Sequence, residues 1–437
     1  MSNSRSKKHK IITCQELLQE NLTIPIYQRP YRWTTKTALT LFNDIYSAYK
    51  EKIPEYRIGS VILHKENNKY NIVDGQQRVT TLSILIYCLV RDENISKSLT
   101  FNELSSQSIV NNYRILKQKV DDLQNDKENF KEYLFKKCSF VKIIADSEQE
   151  AFQFFDSQNS RGKALAPHDL LKSYHLREMK DCDEQQKIKI INDWENENQK
   201  NLALFFKNHL YPLVRWYKRK YGLYYSTKEI NTFKGIKKES NSNYAIYHKA
   251  ANLFIEHFND KNLYELTNSE KINQFQLTQP LIAGERFFYY TLYYFNLSKK
   301  AEKIVDENLK NLNIEIKITG DKYVKNLLIN IIMFFIDKFN EEELTKNRIY
   351  FFSKWAFSLR LVMQAVREES INKYALGEHE RINNGLNLFE KISEMKYPKD
   401  LDTILLGEIL EKDLKSKTEN KTEEYKTIWN TFFGAKQ

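Results

Sequence analysis

The chain has 437 residues, of which 41% are hydrophobic and 29% charged, too many for one small module and too apolar for wholesale disorder. Its 11 Gly and 7 Pro fall well below the usual share, which favours long regular elements and mostly helix. Lys and Arg outnumber Asp and Glu by 68 to 57, a net charge of +11 that points to a polyanionic partner and says nothing of fold. Cys14, Cys88, Cys138 and Cys182 lie far apart with no CxxC pair. That excludes a disulfide scaffold and a sequence-local zinc site, and fits a reducing cytoplasm. The most apolar run, residues 79–90, is bounded by Arg78 and Arg91 and is too short to span a membrane. Arg5, Lys7, Lys8 and Lys10 are not followed by the apolar core of a signal peptide, so residues 1–11 read as a basic flexible tail.

In chain order, residues 12–33 open with a short helix-like piece and then LTIPIY (22–27), where Pro25 allows only an edge strand. Residues 34–50 predict an amphipathic helix through Leu39, Phe42, Ile45 and Tyr49, capped by Thr34 or Thr35. RIGSVILH (57–64) and YNIV (70–73) predict a hairpin that turns over ENNK (66–69). DGQQR (74–78) follows, then a strong helix with Val79, Leu82, Ile86 and Leu89 at spacings of three and four. Residues 92–137 carry helical periodicity and 140–144 a strand pattern. A helix from Glu148 carries Phe152 and Phe155 and ends near NSRGK (159–163). Pro167 suits the first turn of the next helix. Beyond about residue 185 the chain reads as long helices rich in Lys, Asn, Tyr and Phe. The expected class is therefore α+β: a domain over 12–190 with a small sheet and a helical insertion, then a mainly α-helical domain over 191–437 that is a candidate for DNA or partner contact.

Four constellations suggest chemistry. DGQQR places a glycine turn between a strand and a helix N-terminus, where backbone N–H groups attract phosphate. Arg78 adds a fixed cationic fork, Asp74 suits a divalent metal completed by phosphate and water, and Gln76 or Gln77 suits positioning of an attacking water. On composition alone the same residues suit better still a helix capped by Asp74 with solvated glutamines. IPIYQRPYRW (24–33) combines arginines and aromatics on a proline-stiffened segment, suited to stacking and phosphate contact or simply to core and surface. NSRGK sets Arg161 and Lys163 around Gly162 as in a phosphate-binding turn, or a solvated one. Between Glu197 and Glu229 there is no acidic residue. Here Arg215, Trp216, Lys218, Arg219 and Lys220 interleave charge and ring, suited to nucleic acid or to an amphipathic helix with a Lys-rich face. No P-loop, no GxGxxG and no HNH-type cluster is present. The seven-residue spacing of His168 and His175 is not completed to a metal site by a carboxylate or Cys.

Taken together, YQRPYRW (27–33), IGSVILHKENNKYNIVDGQQRVTTL (58–82), FFDSQNSRGKALAPHDLLKSY (154–174) and QLTQPLIAGERFFYY (276–290) resemble the GmrSD-type restriction family, the domain of unknown function 262. The likeness is strong over about residues 12–180 and weaker beyond, including SINKY (370–374). It implies a ParB/sulfiredoxin-like N-terminal domain with a small mixed sheet. It also implies an NTP site, with Mg²⁺ as the companion ion, in a phage-defence protein that couples nucleotide turnover to recognition of modified DNA. By this likeness Asp74, Gln76, Gln77 and Arg78 are the catalytic residues, with Asp74 the metal ligand. Arg29, Gly75, Asn159, Arg161, Lys163 and Lys172 bind the nucleotide, and Asp169 follows on the same helix as Lys172.

Many relatives carry an HNH nuclease domain, fused or as a partner subunit, whereas residues 400–437 are rich in Lys and Glu without a His-containing core. The expectation is an NTPase subunit that senses DNA and licenses a separate HNH-type nuclease. A non-catalytic nucleic-acid-binding adaptor and, further off, a nuclease in its own right stand as alternatives. A cytoplasmic protein without a membrane anchor is expected, and its homo-oligomeric state is left open.

Overall fold

The computed structural model describes residues 9–25, 28–91, 99–101, 103–146, 150, 166–179, 181–266, 271–363, 365–411 and 422–434. The chain forms two compact units, residues 1–165 and 166–437.

The first unit is a small mixed sheet with helices. Its elements are β1 (His9–Thr13), α1 (Cys14–Leu18), β2 (Leu22–Thr23), α2 (Thr35–Lys50), β3 (Tyr56–Glu66), β4 (Lys69–Asp74), α3 (Gln76–Val90), α4 (Ser106–Asp121), α5 (Lys127–Lys136) and β5 (Cys138–Ala145). Strand order is β1-β5-β3-β4-β2. β1 runs antiparallel to β5, β5 parallel to β3, β3 antiparallel to β4, and β4 parallel to β2. The β3–β4 hairpin turns where expected, because Asn67 and Asn68 both accept the left-handed backbone that a tight hairpin demands (φ 45° and 62°). Thr34 caps α2 by accepting a hydrogen bond from the Thr37 N–H. β2 lies at the sheet edge and ends before Pro25, as the proline requires.

Residues 9–11, read from the sequence as the end of a tail, belong instead to a strand, His9–Thr13, paired with β5 from His9 opposite Ile143 to Thr13 opposite Ser139, and residues 1–8 lie outside the described residues. Only Ile11 and Ile12 mark it as apolar, too short a run to reveal a period. The helix expected from Glu148 lies almost wholly outside the described residues.

The core of this unit fills the space between one sheet face and the helices, with Val61, Leu63, Phe42, Ile45, Leu82, Leu85, Leu116 and Phe130. Ile62, Val73, Ile143 and Ala145 form a smaller cluster from the alternate positions of the same strands. α3 is buried on nearly every side, with Arg78, Tyr87 and Val90 among its few accessible residues.

The second unit is helical. It comprises α6 (Pro167–Arg177), α7 (Glu184–Asn196), α8 (Gln199–Phe205), a π-helical turn over 206–210, α9 (Tyr211–Trp216), α10 (Asn243–Asp260), α11 (Leu263–Leu266), α12 (Glu285–Asn311), α13 (Thr319–Phe339), α14 (Lys346–Val362), α15 (Glu368–Ala375), α16 (Leu388–Glu394) and α17 (Thr422–Phe432). α13 is central: Val324, Leu327 to Asn330 and Ile331 to Ile336 are all buried, and it packs on α12, α14, α15 and α16. Together the two units are α+β, the class expected. Among the described residues no helix is long and apolar enough to cross a membrane.

Buried polar groups hold the irregular segment before α12. The Leu277 N–H donates to Asp337 (2.8 Å) and the Tyr294 hydroxyl donates to the same carboxylate. The Gly284 N–H donates to His175 Nδ1 (3.1 Å), which makes Nε2 the protonated nitrogen that donates to the Phe233 carbonyl (2.9 Å). Burial, and stacking on Phe287 at 3.9 Å, keep His175 neutral, its pKa lowered to about 3 chiefly by desolvation. Burial also pushes the Asp337 carboxyl up to about 7, against its two hydrogen bonds.

The signs of the two shifts oppose each other. The contribution of His175 is full above the unfolded value of about 6.5 and is lost as pH falls toward its folded value. The protonated Asp337 favours the fold most below the unfolded value of about 3.9, and this is lost as pH rises through about 7. Asp337→Asn removes the second term alone. In denaturant titrations its stability relative to wild type is expected to climb from pH 4 to pH 8 by roughly 2–4 kcal/mol. Parallel curves would show that folding does not raise the Asp337 carboxyl.

Candidate functional site

The DGQQR turn begins where β4 ends. Gly75 takes a left-handed conformation (φ 96°) as the N-cap of α3, and a Cβ there would press on the Ser60 carbonyl and on Val61. Among the described residues no side chain caps α3. The amide N–H groups of Gln76, Gln77 and Arg78 precede the first intrahelical hydrogen bond, which runs from Val79 to the Gly75 carbonyl. They are the positive end of a 15-residue helix.

Arg78 lies at the start of that helix with its guanidinium against the backbone of Gly59, so close that a Cβ on Gly59 would sit 1.8 Å from Nη1. Gly59 stands at an irregularity in the β3–β5 register, with φ 152°. Asp74 and Arg78 face each other at 3.8 Å, and each side chain is about a quarter exposed. The pair is long and open to solvent, a weak mutual hold that a stronger ligand can displace.

Both glutamines are buried, and they differ in how their amides are bonded. Gln77 is buried, its Oε1 accepting from the Arg32 N–H (2.9 Å) and its Nε2 donating to the Pro30 carbonyl (3.2 Å) and to Gln76 Oε1 (2.8 Å). Both amide protons of Gln77 are therefore used, and its role here is to hold the 28–33 segment on α3. Gln76 Nε2 makes no hydrogen bond among the described residues.

The rest of the YQRPYRW segment is fastened alongside. Gln28 Nε2 donates to the Val73 carbonyl (2.7 Å). The Tyr31 N–H donates to Ser105 Oγ, while the Tyr31 hydroxyl meets Thr81 and Asn112, each at 2.8 Å. Asn112 also donates to the Trp33 carbonyl (2.7 Å). Tyr31 is thus core, and Arg29 is exposed between the Gln28 and Pro30 anchors. These ties set Arg29, Gly75, Gln76 and Arg78 along one edge of the unit. Sequence reasoning missed Gly59, Asn112 and Ser105. A lone glycine inside a strand pattern is the signal that marks Gly59, whereas nothing local marks the other two.

The other expected residues are not among the described residues of the first unit. Asn159, Arg161 and Lys163 fall outside the described residues. Lys172 is buried on α6, its Nζ 2.7 Å from the Glu195 carboxylate. Trp216 is buried against Phe389 and donates to Asn372 (2.9 Å), so its ring is core. Arg219 is held by both oxygens of Glu390, and Arg215 lies over Tyr211 and donates to the Tyr221 carbonyl. Lys218 and Lys220 are exposed.

This edge could hold a phosphate group through amides that have no partner among the described residues, an αL glycine without a Cβ and an arginine about a quarter exposed. Among the described residues no three His, Cys, Asp or Glu side chains cluster to hold a metal. A cation on Asp74 therefore needs phosphate oxygens and water as its other ligands.

Residues 14–176 match the family described as the GmrSD restriction endonuclease, N-terminal domain, and residues 186–423, more than half of the chain, match a family of unknown function, DUF7834. The chain belongs to the DUF7834 family and carries a GmrSD-type N-terminal domain. No curated protein matches it. The GmrSD-type domain contains every group at the DGQQR edge, and the DUF7834 region contains the 215–220 stretch.

Gln77→Leu leaves the Pro30 carbonyl and the Arg32 N–H without their buried partner. It is expected to lower unfolding free energy by roughly 2–3 kcal/mol, read from chemical denaturation. A change within experimental error would show that the 28–33 segment is held by other contacts.

Proposed function

We propose that this chain is the nucleotide-binding and NTP-hydrolysing switch subunit of a phage-defence restriction system, and that it licenses a separate HNH-type nuclease on DNA. The observation that carries this reading is the uncapped N-terminus of α3 at Gly75, with Arg78 and Asp74 flanking it, in a domain described from GmrSD restriction endonucleases. The α3 amides would bind phosphate oxygens along the helix dipole. Arg78 would exchange its long contact with Asp74 for a charge-assisted hydrogen bond to phosphate. Asp74, so released, would hold Mg²⁺, which when bound neutralises phosphate charge. Gln76, whose Nε2 makes no hydrogen bond among the described residues, is the better of the two glutamines to orient water. Arg29 would add charge from the 28–33 segment. In the helical unit, Lys218 and Lys220 are the members of the basic tract available to a nucleic-acid backbone.

Binding without turnover is the second reading, favoured by the full engagement of Gln77 and the single carboxylate at the turn. Phosphate release by the full chain with each of four NTPs and Mg²⁺ separates the two. Arg78→Ala and Asp74→Ala are each expected to reduce release by roughly a hundredfold or more. Gly59→Ala keeps the arginine but displaces it, and is expected to lose most of the rate while the chain stays folded. A rise in Tm with NTP but no release favours the adaptor. The absence of both release and a Tm rise with every NTP would contradict both readings of the loop.

A further inference from the structure

The helical unit contains a small, open pocket bounded by the π-helical turn, the 221–224 segment, α13 and α15. Its floor is apolar, formed by Trp216, Leu327 and Ile371, and its rim is polar.

Three independent features show that this pocket is built. The turn over 206–210 is π-helical, an insertion that opens an α-helix and recurs at functional sites. The extra turn is stabilised by Asn330 of α13, which donates to the Asn208 carbonyl (2.9 Å) and accepts from His209 Nδ1 (2.6 Å). On the opposite rim Tyr224 holds a left-handed backbone (φ 58°), a conformation a bulky side chain rarely adopts. Its hydroxyl is tied to Glu369 at 2.8 Å, where Tyr221 also binds. Asn372, within the SINKY segment, is buried and accepts from both Trp216 Nε1 and the Gly222 N–H at 2.9 Å, fixing the floor to the rim. Gly222 is needed there, since a Cβ would lie 2.5 Å from Trp216 Nε1.

Several lining groups remain available for a ligand. Among the described residues the side chains of Asn208, Asn326 and Tyr323 make no hydrogen bond, although all three are half-buried. Lys207 and Glu368 pair at 3.2 Å across the rim and offer a donor and an acceptor. A carboxamide presents a donor and an acceptor side by side, the pattern that complements a nucleobase edge. Tyr323 and Tyr224 supply rings of the kind on which bases stack.

We infer that this pocket takes a nucleobase: the ring enters over Trp216, Leu327 and Ile371, and Asn208 and Asn326 read its edge. The inference stands on the helical unit alone and is independent of phosphate binding at the DGQQR turn.

The test uses the full chain and two fluorescent probes, 2-aminopurine riboside and a single-stranded oligonucleotide carrying one 2-aminopurine. Saturable quenching of either probe is expected. The riboside alone suffices if the ligand is a free nucleoside or nucleotide, and only the oligonucleotide responds if the base is presented on a strand. Tyr323→Ala and Asn326→Leu, at half-buried positions, are each expected to weaken binding at least about tenfold with Tm unchanged. Should one of them fail to fold, the other decides. Arg78→Ala is expected to leave the quenching unchanged, which separates this pocket from the DGQQR turn. Absence of saturable quenching with both probes, or equal affinity in a folded Tyr323 or Asn326 variant, would overturn the inference.

Discussion

The candidate site depends on one buried amide. Gln77 makes its three hydrogen bonds inside the protein, and through them the 28–33 segment is fixed to the first turn of α3. An amide left unpaired in that position would cost about 1–3 kcal/mol, so the segment and the helix are ordered together. This has a consequence for chemistry. The turn that holds the first backbone amides of α3 is made rigid by the side chain that follows Gln76, and rigidity of that kind is what a preorganised anion site requires. Gly75 and Gly59 complete it by omission, one allowing the backbone to reverse into α3 and the other leaving room for the Arg78 guanidinium.

Much of the first unit was legible because its signals are local. The Asn67-Asn68 turn, the Thr34 cap and Pro25 each act over a few residues, and the elements they bound stand where those residues place them. DGQQR was legible for the same reason, as a glycine between a strand pattern and a helix pattern. The work of each glutamine was not. The letters QQ suggest two solvated amides, and only the partners Pro30 and Arg32, more than 40 residues away, show that Gln77 is structural. β1 was missed because its strand character comes from pairing with β5, at the far end of the unit's described chain.

The helical unit shows the opposite balance. Composition revealed helix, yet the interleaving of Arg215, Trp216, Lys218, Arg219 and Lys220 reads the same whether the ring stacks on a base or fills a core. Burial decides it: Trp216 belongs to the interior with Phe389, and Glu390 neutralises Arg219. Charge in this chain is often consumed internally. Lys172 with Glu195 and Arg360 with Asp321 are both buried pairs, the second also meeting Tyr425 of α17. Removing one partner of such a pair leaves an uncompensated charge, which makes these contacts determinants of the fold more than reservoirs of stability. Each such pair removes one charge of each sign, so the net charge of +11 is carried by residues outside these pairs.

The central claim is that the start of α3 is a nucleotide phosphate site. Hydrogen–deuterium exchange of the full chain, with and without a non-hydrolysable analogue of each NTP and Mg²⁺, tests it most directly, because it reads the backbone amides themselves. The account predicts slowed exchange in peptides covering 74–79 and 28–33 with at least one analogue. Unchanged exchange in both segments at saturating analogue would contradict it.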